Sequence, residues 1–331
     1  MSVAGLRLGL LLTTLVTSLH AVAATRYWAL TDVKFSDGAI ATGYLSYDDA
    51  TQKITNWNVR VTPGPAQAPG KPPFLGFTYT AGNSESFVGP FSSFRPGQYF
   101  SLDSTPAGSP LGFYRSLIII PLVQPDASVA VVPLGSASYE GFFADTPVTA
   151  RGISGTLVRM PLSPPVTVIQ VDEFYNAVLD HYFITADNAE KQDLDASVHL
   201  GWVRTGESFK AYAPGSDIGG SVDPTCRYYG NPLQGLDSHF YSADAAECLI
   251  VYLRYRSDWL FESDNVFQIH LPDTTTGACP NSTIPVYRLW NQRVDSNHRF
   301  TTRQAIKAEM VATGYVAEGY GPDAVAMCAI Q

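Results

Sequence analysis

Two Asp and His pairs, Asp237 with His239 and Asp295 with His298, are the residues of this sequence best suited by type to chemistry. An Asp beside a His can orient the imidazole as a general base, and both side chains can ligate a metal ion or fix a turn. Neither pair has an obvious third metal ligand nearby, and neither has a fixed serine or cysteine nucleophile. The pattern therefore favours a structural or ligand-binding role, and we predict no catalytic residue, metal ion or cofactor.

The hydroxyl residues that follow the two pairs, Ser242 and Thr301, have a different predicted role. Each stands directly before a segment of helical character, where a hydroxyl can accept hydrogen bonds from the free N–H groups of the first turn. They are therefore expected to be helix caps and not nucleophiles. An extracellular hydrolase that uses the two Asp and His pairs is the alternative interpretation.

The two pairs belong to a pattern that occurs three times: an aromatic strand, a turn with Asp and His, a helix, and a closing strand with an aromatic residue. The hydroxyl before each helix recurs after 57 and then 59 residues. A fixed period indicates one supersecondary unit used three times, because a single unit cannot bury its own apolar face. The matched positions are the opening aromatics Tyr175, Tyr229 and Trp290, the hydroxyls Thr185, Ser242 and Thr301, and the closing aromatics Trp202, Trp259 and Tyr315.

The repeats predict a pseudo-threefold domain over residues 170–331, preceded by a linker at 163–169 that contains Pro164 and Pro165. Its units are expected at 170–213, 225–270 and 284–331. Each unit should hold β-hairpins and one short helix, with the helices at 187–196, 244–252 and 304–312. The predicted fold class is mainly β, or α+β overall.

The preceding part of the chain, residues 25–162, has the pattern of short strands between turns. Trp57, Val59 and Val61 alternate with polar residues, which indicates a strand with one buried face. Roughly seven to nine such strands, without a helical period, predict an antiparallel β-sandwich. For Asp48 and Asp49 we favour a solvated turn, and a calcium site is the alternative.

The first 24 residues have the layout of a cleavable signal peptide: Arg7, an apolar run, and small residues that end at Ala23-Ala24. The apolar run is about nine residues long, whereas ~20 are needed to span a bilayer, so a membrane anchor is the weaker interpretation. The net charge of −9 argues against nucleic acid as a partner. We predict a secreted or periplasmic protein without a membrane span, cleaved near Ala23-Ala24.

All four cysteines lie in the repeat half, and an even count in an exported chain predicts two disulfides. Of the three possible pairings we predict Cys226 with Cys248, inside the second unit, and Cys279 with Cys328, which joins the start of the third unit to the end of the chain. No spacing between the cysteines resembles that of a zinc site.

The third unit carries Arg288-Leu289-Trp290-Asn291 and then Asn297-His298-Arg299-Phe300-Thr301. Together with its two relatives it resembles a threefold repeat domain of unknown function found in secreted bacterial and some fungal proteins. The first unit departs from the pattern, since Tyr182 stands where the later units have His239 and His298. The N-terminal half, from Trp28 to Trp57, resembles a β-rich domain of exported bacterial proteins. These resemblances imply an accessory extracellular module.

Aromatic faces flanked by polar side chains can stack on sugar rings while their neighbours bond the hydroxyls, although core packing is the simpler role for aromatics at matched positions. We predict a non-catalytic binding protein whose partner is an extracellular glycan or a surface protein. The alternatives are the hydrolase and a purely structural module for protein contacts. The candidate ligand-binding residues are Tyr175, Tyr229, Trp290, Asp237, His239, Asp295, His298 and Arg299.

Overall fold

The computed structural model describes residues 25–65, 73–92, 95–104, 114–143, 147–218 and 222–331. The predicted signal peptide, residues 1–24, lies outside the described residues. Within them the protein is mainly β, with antiparallel sheets and three α-helices, as the sequence predicts.

Ten strands form one antiparallel sheet in the first half of the described chain. They run in the order β4-β3-β2-β1-β10-β9-β7-β6-β5, and β8 pairs with β10. The count exceeds the expected seven to nine because β8 and β9 are too short to show a clear alternation and β5 contains Gly89-Pro90, a turn signal. The strands are β1 (Thr25–Phe35), β2 (Ile40–Asp48), β3 (Lys53–Val61), β4 (Phe77–Thr80), β5 (Ser84–Ser92), β6 (Arg95–Ser104), β7 (Tyr114–Ile119), β8 (Val131–Pro133), β9 (Tyr139–Phe143) and β10 (Pro147–Arg159).

Strand β10 belongs to both layers of a sandwich. Its first residues pair with β9, for example Arg151 with Glu140, and its later residues pair with β1. The two layers then face each other, and the ring of Tyr47 on β2 stacks on Phe100 of β6 at 5.2 Å. Apolar side chains of both layers form one buried core, in which Trp28 and Leu157 are fully enclosed.

The turn after β2 is held by hydrogen bonds from its backbone to the side chain of Asp48. Asp48 accepts hydrogen bonds from the N–H groups of Ala50 and Thr51, both at 2.9 Å, and Asp49 lies 3.1 Å from Arg26. These contacts match the turn interpretation of the two carboxylates.

Three units follow, each built as two strands, a helix and a further strand. The first ends on a long strand, the second contains the disulfide Cys226–Cys248, and the third leads into the last strand of the chain. The units comprise β11 (Val168–Asn176), β12 (His181–Thr185), α1 (Asn188–Asp195) and β13 (Trp202–Tyr212); then β14 (Asp223–Pro224), β15 (Cys226–Gly230), β16 (His239–Ser242), α2 (Ala245–Tyr255), β17 (Trp259–Ser263) and β18 (Gln268–Ile269); then β19 (Thr283–Trp290), β20 (His298–Thr301), α3 (Gln304–Ala312), β21 (Val316–Glu318) and β22 (Val325–Ile330).

The three units are not joined in the same way. Strand β22 lies between β13 of the first unit and β19 of the third, so these two units share one sheet. Three strands of the second unit form a separate sheet in the order β16-β15-β17, whereas its short strands β14 and β18 join the sheet of the other two units through β13. Nevertheless the strand pairing is equivalent, because Tyr175 faces Tyr182, Tyr229 faces His239, and Trp290 faces His298.

A shared core lies where the second strands of the units meet. The matched residues Ile184, Tyr241 and Phe300 are all buried, and the Tyr241 and Phe300 rings lie 5.6 Å apart. The Tyr241 hydroxyl also donates to the carbonyl of Ile184 at 2.5 Å. The units therefore bury their apolar faces against one another, as the repeat period predicts.

The helix positions are as predicted, but the expected role of the hydroxyls is wrong. The hydroxyls of Thr185, Ser242 and Thr301 each accept from the N–H two residues further on, before the helix begins. The caps of α1 and α2 are Asp187 and Asp244, whose carboxylates accept from first-turn N–H groups. A carboxylate competes well for these N–H groups because the helix dipole favours a negative charge there.

Both predicted disulfides are present, Cys226–Cys248 with a Cα separation of 6.2 Å and Cys279–Cys328 with one of 5.6 Å. No helix in the described ranges is long and apolar enough to cross a membrane.

Candidate ligand-binding surface

The three hairpin turns meet at the centre of the repeat domain. His181, Ser238 and Asn297 occupy the same position in their units, and all three are buried. His181 Nδ1 lies 2.9 Å from the carbonyl oxygen of Asp237, and Ser238 donates to the carbonyl of Ser296. These residues, which we call the axial cluster, join the three units.

Asn297 completes the axial cluster through the backbone of the first unit. Its side-chain oxygen accepts from the N–H of Tyr182 at 2.8 Å, and its side-chain nitrogen donates to the carbonyl of the same residue at 2.9 Å. The Asn297 amide thus bonds both backbone groups of Tyr182, as a residue of a paired strand would, and so joins the first and third units.

The opening aromatic of each unit is fixed by a hydrogen bond to its own turn. Tyr175 donates to Asp180 and Tyr229 donates to Asp237, both at 2.8 Å. In the third unit the indole N–H of Trp290 donates to the hydroxyl of Ser296 at 3.1 Å. The structural equivalent of Asp180 and Asp237 is therefore Ser296, although Asp295 is the residue of the third turn that shares their type.

Each opening aromatic is the middle of a short row of side chains across three strands, and we call these the surface rows. In a β-sheet, residues directly opposite each other point to the same face. In the first row the Tyr175 and Tyr182 rings lie 4.7 Å apart, and in the second the Tyr229 and His239 rings lie 5.1 Å apart. The rows are Tyr182, Tyr175 and Val203; His239, Tyr229 and Leu260; and His298, Trp290 and Val316.

The outer member of every surface row is an exposed aliphatic side chain. Val203, Leu260 and Val316 are exposed by 61, 43 and 40%, respectively. The turns that carry the rows also end in apolar tips, since Val178, Leu233 and Val294 are exposed by 89, 90 and 92%. Scattered apolar residues on a surface are ordinary, but apolar residues repeated at matched positions form a patterned surface.

The Asp237 and His239 pair does not form a catalytic dyad. Asp237 is engaged by Tyr229, and the nearest acidic group to His239 is Glu262, whose carboxylate lies 3.5 Å from Nε2. Burial, and then the charge of Arg227, lower the pKa of His239 to about 3, so the imidazole is neutral and a weak base.

His298 and Asp295 are also separated by the fold. His298 lies 3.3 Å from Glu318 on β21, and burial lowers the pKa of the imidazole. Asp295 instead accepts from Arg293 at 3.0 Å and lies 3.1 Å from Nε2 of His181. The contact of His298 joins two strands of the third unit, whereas the contact of Asp295 with His181 joins the third unit to the first.

Arg299 closes the ring of units. It donates to Glu173 on β11 through Nε at 3.1 Å and Nη2 at 3.0 Å, and its guanidinium lies 4.1 Å from the centre of the Tyr182 ring.

Four of the eight candidate residues, Tyr175, Tyr229, Trp290 and His239, belong to half-exposed parts of the surface rows. His298 is buried in the third row, and Asp237, Asp295 and Arg299 hold the turns and the ring in place.

A cavity of about 320 Å³ between the two halves of the protein was not suggested by the sequence. We call it the interdomain cleft, and its walls include Phe77, Arg115, Asp223, Tyr228 and Phe261. The sequence contains only a weak local signal for this cleft, which is the pair of glycines beside β4. Gly76 and Gly82 flank β4, and a Cβ on either would meet a carboxylate of the other half, at 3.2 and 2.6 Å.

Residues 155–266 match a protein family described as "Domain of unknown function (DUF5648)". The match begins in β10, includes the first unit, and ends within the second. No curated protein and no solved structure matches the chain. Residues 155–266 thus contain a domain of unknown function, which supports that part of the resemblance, and the match does not reach the third unit.

Proposed function

We propose that the protein is a secreted, non-catalytic binding module that recognises an extracellular carbohydrate through the three surface rows. The observation that carries this proposal is the exposure of an aliphatic side chain at the same place in each row. Packing explains buried aromatics at matched positions, but it does not explain solvent-exposed Val203, Leu260 and Val316. A repeated contact surface for a ligand does.

The composition of the rows suits the apolar faces of sugar rings. A tyrosine or tryptophan ring beside an aliphatic side chain offers a flat apolar surface, and the polar groups next to it can bond hydroxyls. Around the first row these groups are Asp180 and Arg293, which are paired at 2.5 Å and remain partly exposed. Because the charges are already paired, the site favours a neutral, hydroxylated ligand over an ion.

Three related rows on one domain suit a ligand with repeating units. Each shallow row is expected to bind weakly alone, and simultaneous contact with one polymer raises the overall affinity through the effective concentration of the later contacts. A polysaccharide or a dense surface glycan supplies such a repeating ligand, whereas a single small sugar does not.

The hydrolase alternative is less well supported. His239 and His298 have lowered pKa values, and neither contacts a serine or threonine hydroxyl among the described residues. Docking of a partner protein on the apolar turn tips is the second candidate, and the exposed Val178, Leu233 and Val294 favour it.

Export and the division of the chain are parts of the same proposal. The two disulfides support an oxidising compartment, which agrees with the signal-peptide pattern of residues 1–24. The sandwich ends with β10 at Arg159 and the next sheet begins with β11 at Val168. We therefore place the domains at 25–162 and 170–331, with the linker at 163–169 between them.

The proposal is tested with the purified protein, both disulfides formed, on an array of polysaccharides, peptidoglycan fragments and host glycans. The row variant Val203→Thr/Leu260→Thr/Val316→Thr removes apolar surface at exposed strand positions, where threonine is well tolerated. Its matched control is Val123→Thr/Val131→Thr, which changes two valines of the sandwich half that are 45 and 48% exposed.

Saturable binding that the row variant loses and the control variant keeps supports the proposal. Binding that both variants keep assigns the ligand to another surface. If no glycan binds, and substitution of the turn-tip residues Val178, Leu233 and Val294 by threonine abolishes capture of a protein partner that the wild type retains, the second candidate replaces the first.

A further inference from the structure

The interdomain cleft has aromatic rings on both sides and carboxylates on the side of the repeat domain. Rings of Phe77 and Phe142 from the sandwich face Tyr228, Phe261 and Tyr320 from the repeat domain. The volume of about 320 Å³ is that of a site for a small molecule. The two halves are joined at its edge, where Thr80 donates to the carbonyl of Val222 at 2.9 Å.

The charges around the cleft do not balance. Asp264 is neutralised by Arg60, with nitrogen and oxygen 2.8 Å apart, and also accepts from Thr78 at 2.7 Å. Arg115 is in turn neutralised by the buried Glu140 at 2.7 Å. Asp223 and Asp244 therefore have no cationic partner among the described residues, and the cleft carries an excess of negative charge.

Asp223 is the less satisfied of these two carboxyl groups. Asp244 caps α2 and accepts from the hydroxyl of Tyr320, whereas the side chain of Asp223 makes no hydrogen bond within the described part of the chain. Asp223 is only 5% exposed, and its Oδ1 would lie 2.6 Å from a Cβ at position 82. Burial of an unpaired carboxyl is costly, so its position in the wall of a cavity points to a partner that the cavity receives.

We propose that the interdomain cleft binds a small organic cation, with its ammonium group paired to Asp223 and enclosed by the aromatic rings of both halves. Carboxylates supply the charge, and aromatic faces attract a cation while they cover its methyl or methylene groups. The arrangement suits a quaternary or primary ammonium better than a metal ion, because aromatic rings from both halves line the cavity and no group of three potential metal ligands occurs in the described ranges.

The binding should depend on pH, with a defined sign. Burial, and then the nearby charge of Asp244, raise the pKa of Asp223 to about 7, so the free protein holds this carboxyl protonated in mild acid. A cation pairs only with the ionised form, and its affinity must rise as the pH increases through this value. The other titratable groups that face the cavity are Asp244, Asp264, Arg115, Tyr228 and Tyr320.

The test is calorimetry on the purified protein with choline, with tyramine, and with the uncharged carbon isostere of choline, in which a tert-butyl group replaces the trimethylammonium. We expect at least one of the two cations to bind about tenfold or more tightly than the isostere at pH 8, and more weakly at pH 5.5. Asp223→Asn should lower that affinity by about tenfold or more and abolish the pH dependence. The charge-matched control Asp193→Asn, on the exposed face of α1, should change neither.

Two further measurements keep the result unambiguous. Gly82→Ala places a Cβ against the Asp223 carboxyl and should weaken cation binding, while circular dichroism reports whether the fold is intact. The row variant should bind the cation as the wild type does, so failure of the glycan proposal and failure of this one are separate outcomes.

Three results would overturn the proposal. The first is that neither cation binds, and the second is that the uncharged isostere binds equally well. The third is an affinity for the cations that falls as the pH rises, which would mean that the ionised carboxyl of Asp223 is not their partner.

Discussion

Glu247 on α2 of the second unit lies 2.7 Å from Arg288 on β19 of the third. The first and second units are joined in the same way, since Glu190 on α1 lies 2.8 Å from Arg227 on β15. The third junction differs. Glu173 stands at the arginine position of the first unit and pairs with Arg299 at 3.0 Å, so the ring is closed by a pair of reversed polarity on different strands.

The Glu247 and Arg288 pair should contribute strongly to stability. Arg288 is buried and also bonds Glu318 at 3.0 Å, so Arg288→Met would remove the arginine partner of two carboxylates. We expect a loss of about 3–5 kcal/mol in the free energy of unfolding, measured by urea denaturation. The control Arg303→Met breaks the exposed pair with Glu207 and should cost less than about 1 kcal/mol. Equal losses in the free energy of unfolding of the two variants would mean that the buried ion pairs of Arg288 stabilise the protein no more than an exposed pair does.

Asp223→Asn should stabilise the protein at neutral pH. The folded-state pKa of Asp223 is raised to about 7 from an ordinary value of 3.8, so the folded protein binds the proton more tightly than the unfolded chain does. The contribution of the Asp223 carboxyl to stability is therefore fully present below about pH 4 and is lost as the pH rises through 7. An asparagine resembles the protonated acid at every pH, and we expect it to raise the free energy of unfolding by about 2–4 kcal/mol at pH 8.

The same variant should have little effect on stability at pH 4, because the carboxyl is protonated in the folded protein and that pH lies close to its pKa of 3.8 in the unfolded chain. Urea unfolding at the two pH values measures the difference, with Asp193→Asn as the control for net charge. A destabilisation by Asp223→Asn at pH 8 would show that the ionised carboxyl has a favourable partner in the folded protein.

His181→Ala tests the axial cluster. The side chain is buried and contacts Asp237 and Asp295, which belong to the two other units. Its removal leaves a cavity and an unpaired carbonyl, so we expect a loss of about 2–4 kcal/mol in the free energy of unfolding. Exposed His199 provides the control, and His199→Ala should change stability by less than about 0.5 kcal/mol. Similar stability of the two variants would mean that the units do not depend on the axial cluster.

Features that depend on local pattern could be predicted from the sequence. The helical character of the segments after Thr185, Ser242 and Thr301 located α1, α2 and α3, and the even number of cysteines in the repeat half predicted the two disulfides that the structure contains. The surface rows were partly foreseen, because Tyr175, Tyr229 and Trp290 stand at matched positions.

Features that depend on contacts between distant segments could not be predicted. His181, Ser238 and Asn297 are equivalent in space but chemically different, so a match by residue type aligned Asp295 with Asp180 and Asp237. The insertion of β22 between the first and third units depends on pairing partners, which periodicity does not identify. Asp223 is a candidate site residue only because Gly82 of the other half lets it approach, and nothing in its own neighbours indicates burial.

The most direct test of glycan recognition by the surface rows is the equilibrium affinity of the wild type and of single, double and triple row substitutions for one immobilised polysaccharide. Because the three rows act on the same polymer, each successive substitution among Val203→Thr, Leu260→Thr and Val316→Thr should weaken binding further, by about 10²-fold or more in the triple variant. The control Val123→Thr/Val131→Thr should bind as the wild type does. An unchanged affinity in the triple variant, or a wild type that binds no polysaccharide, would contradict the proposed function.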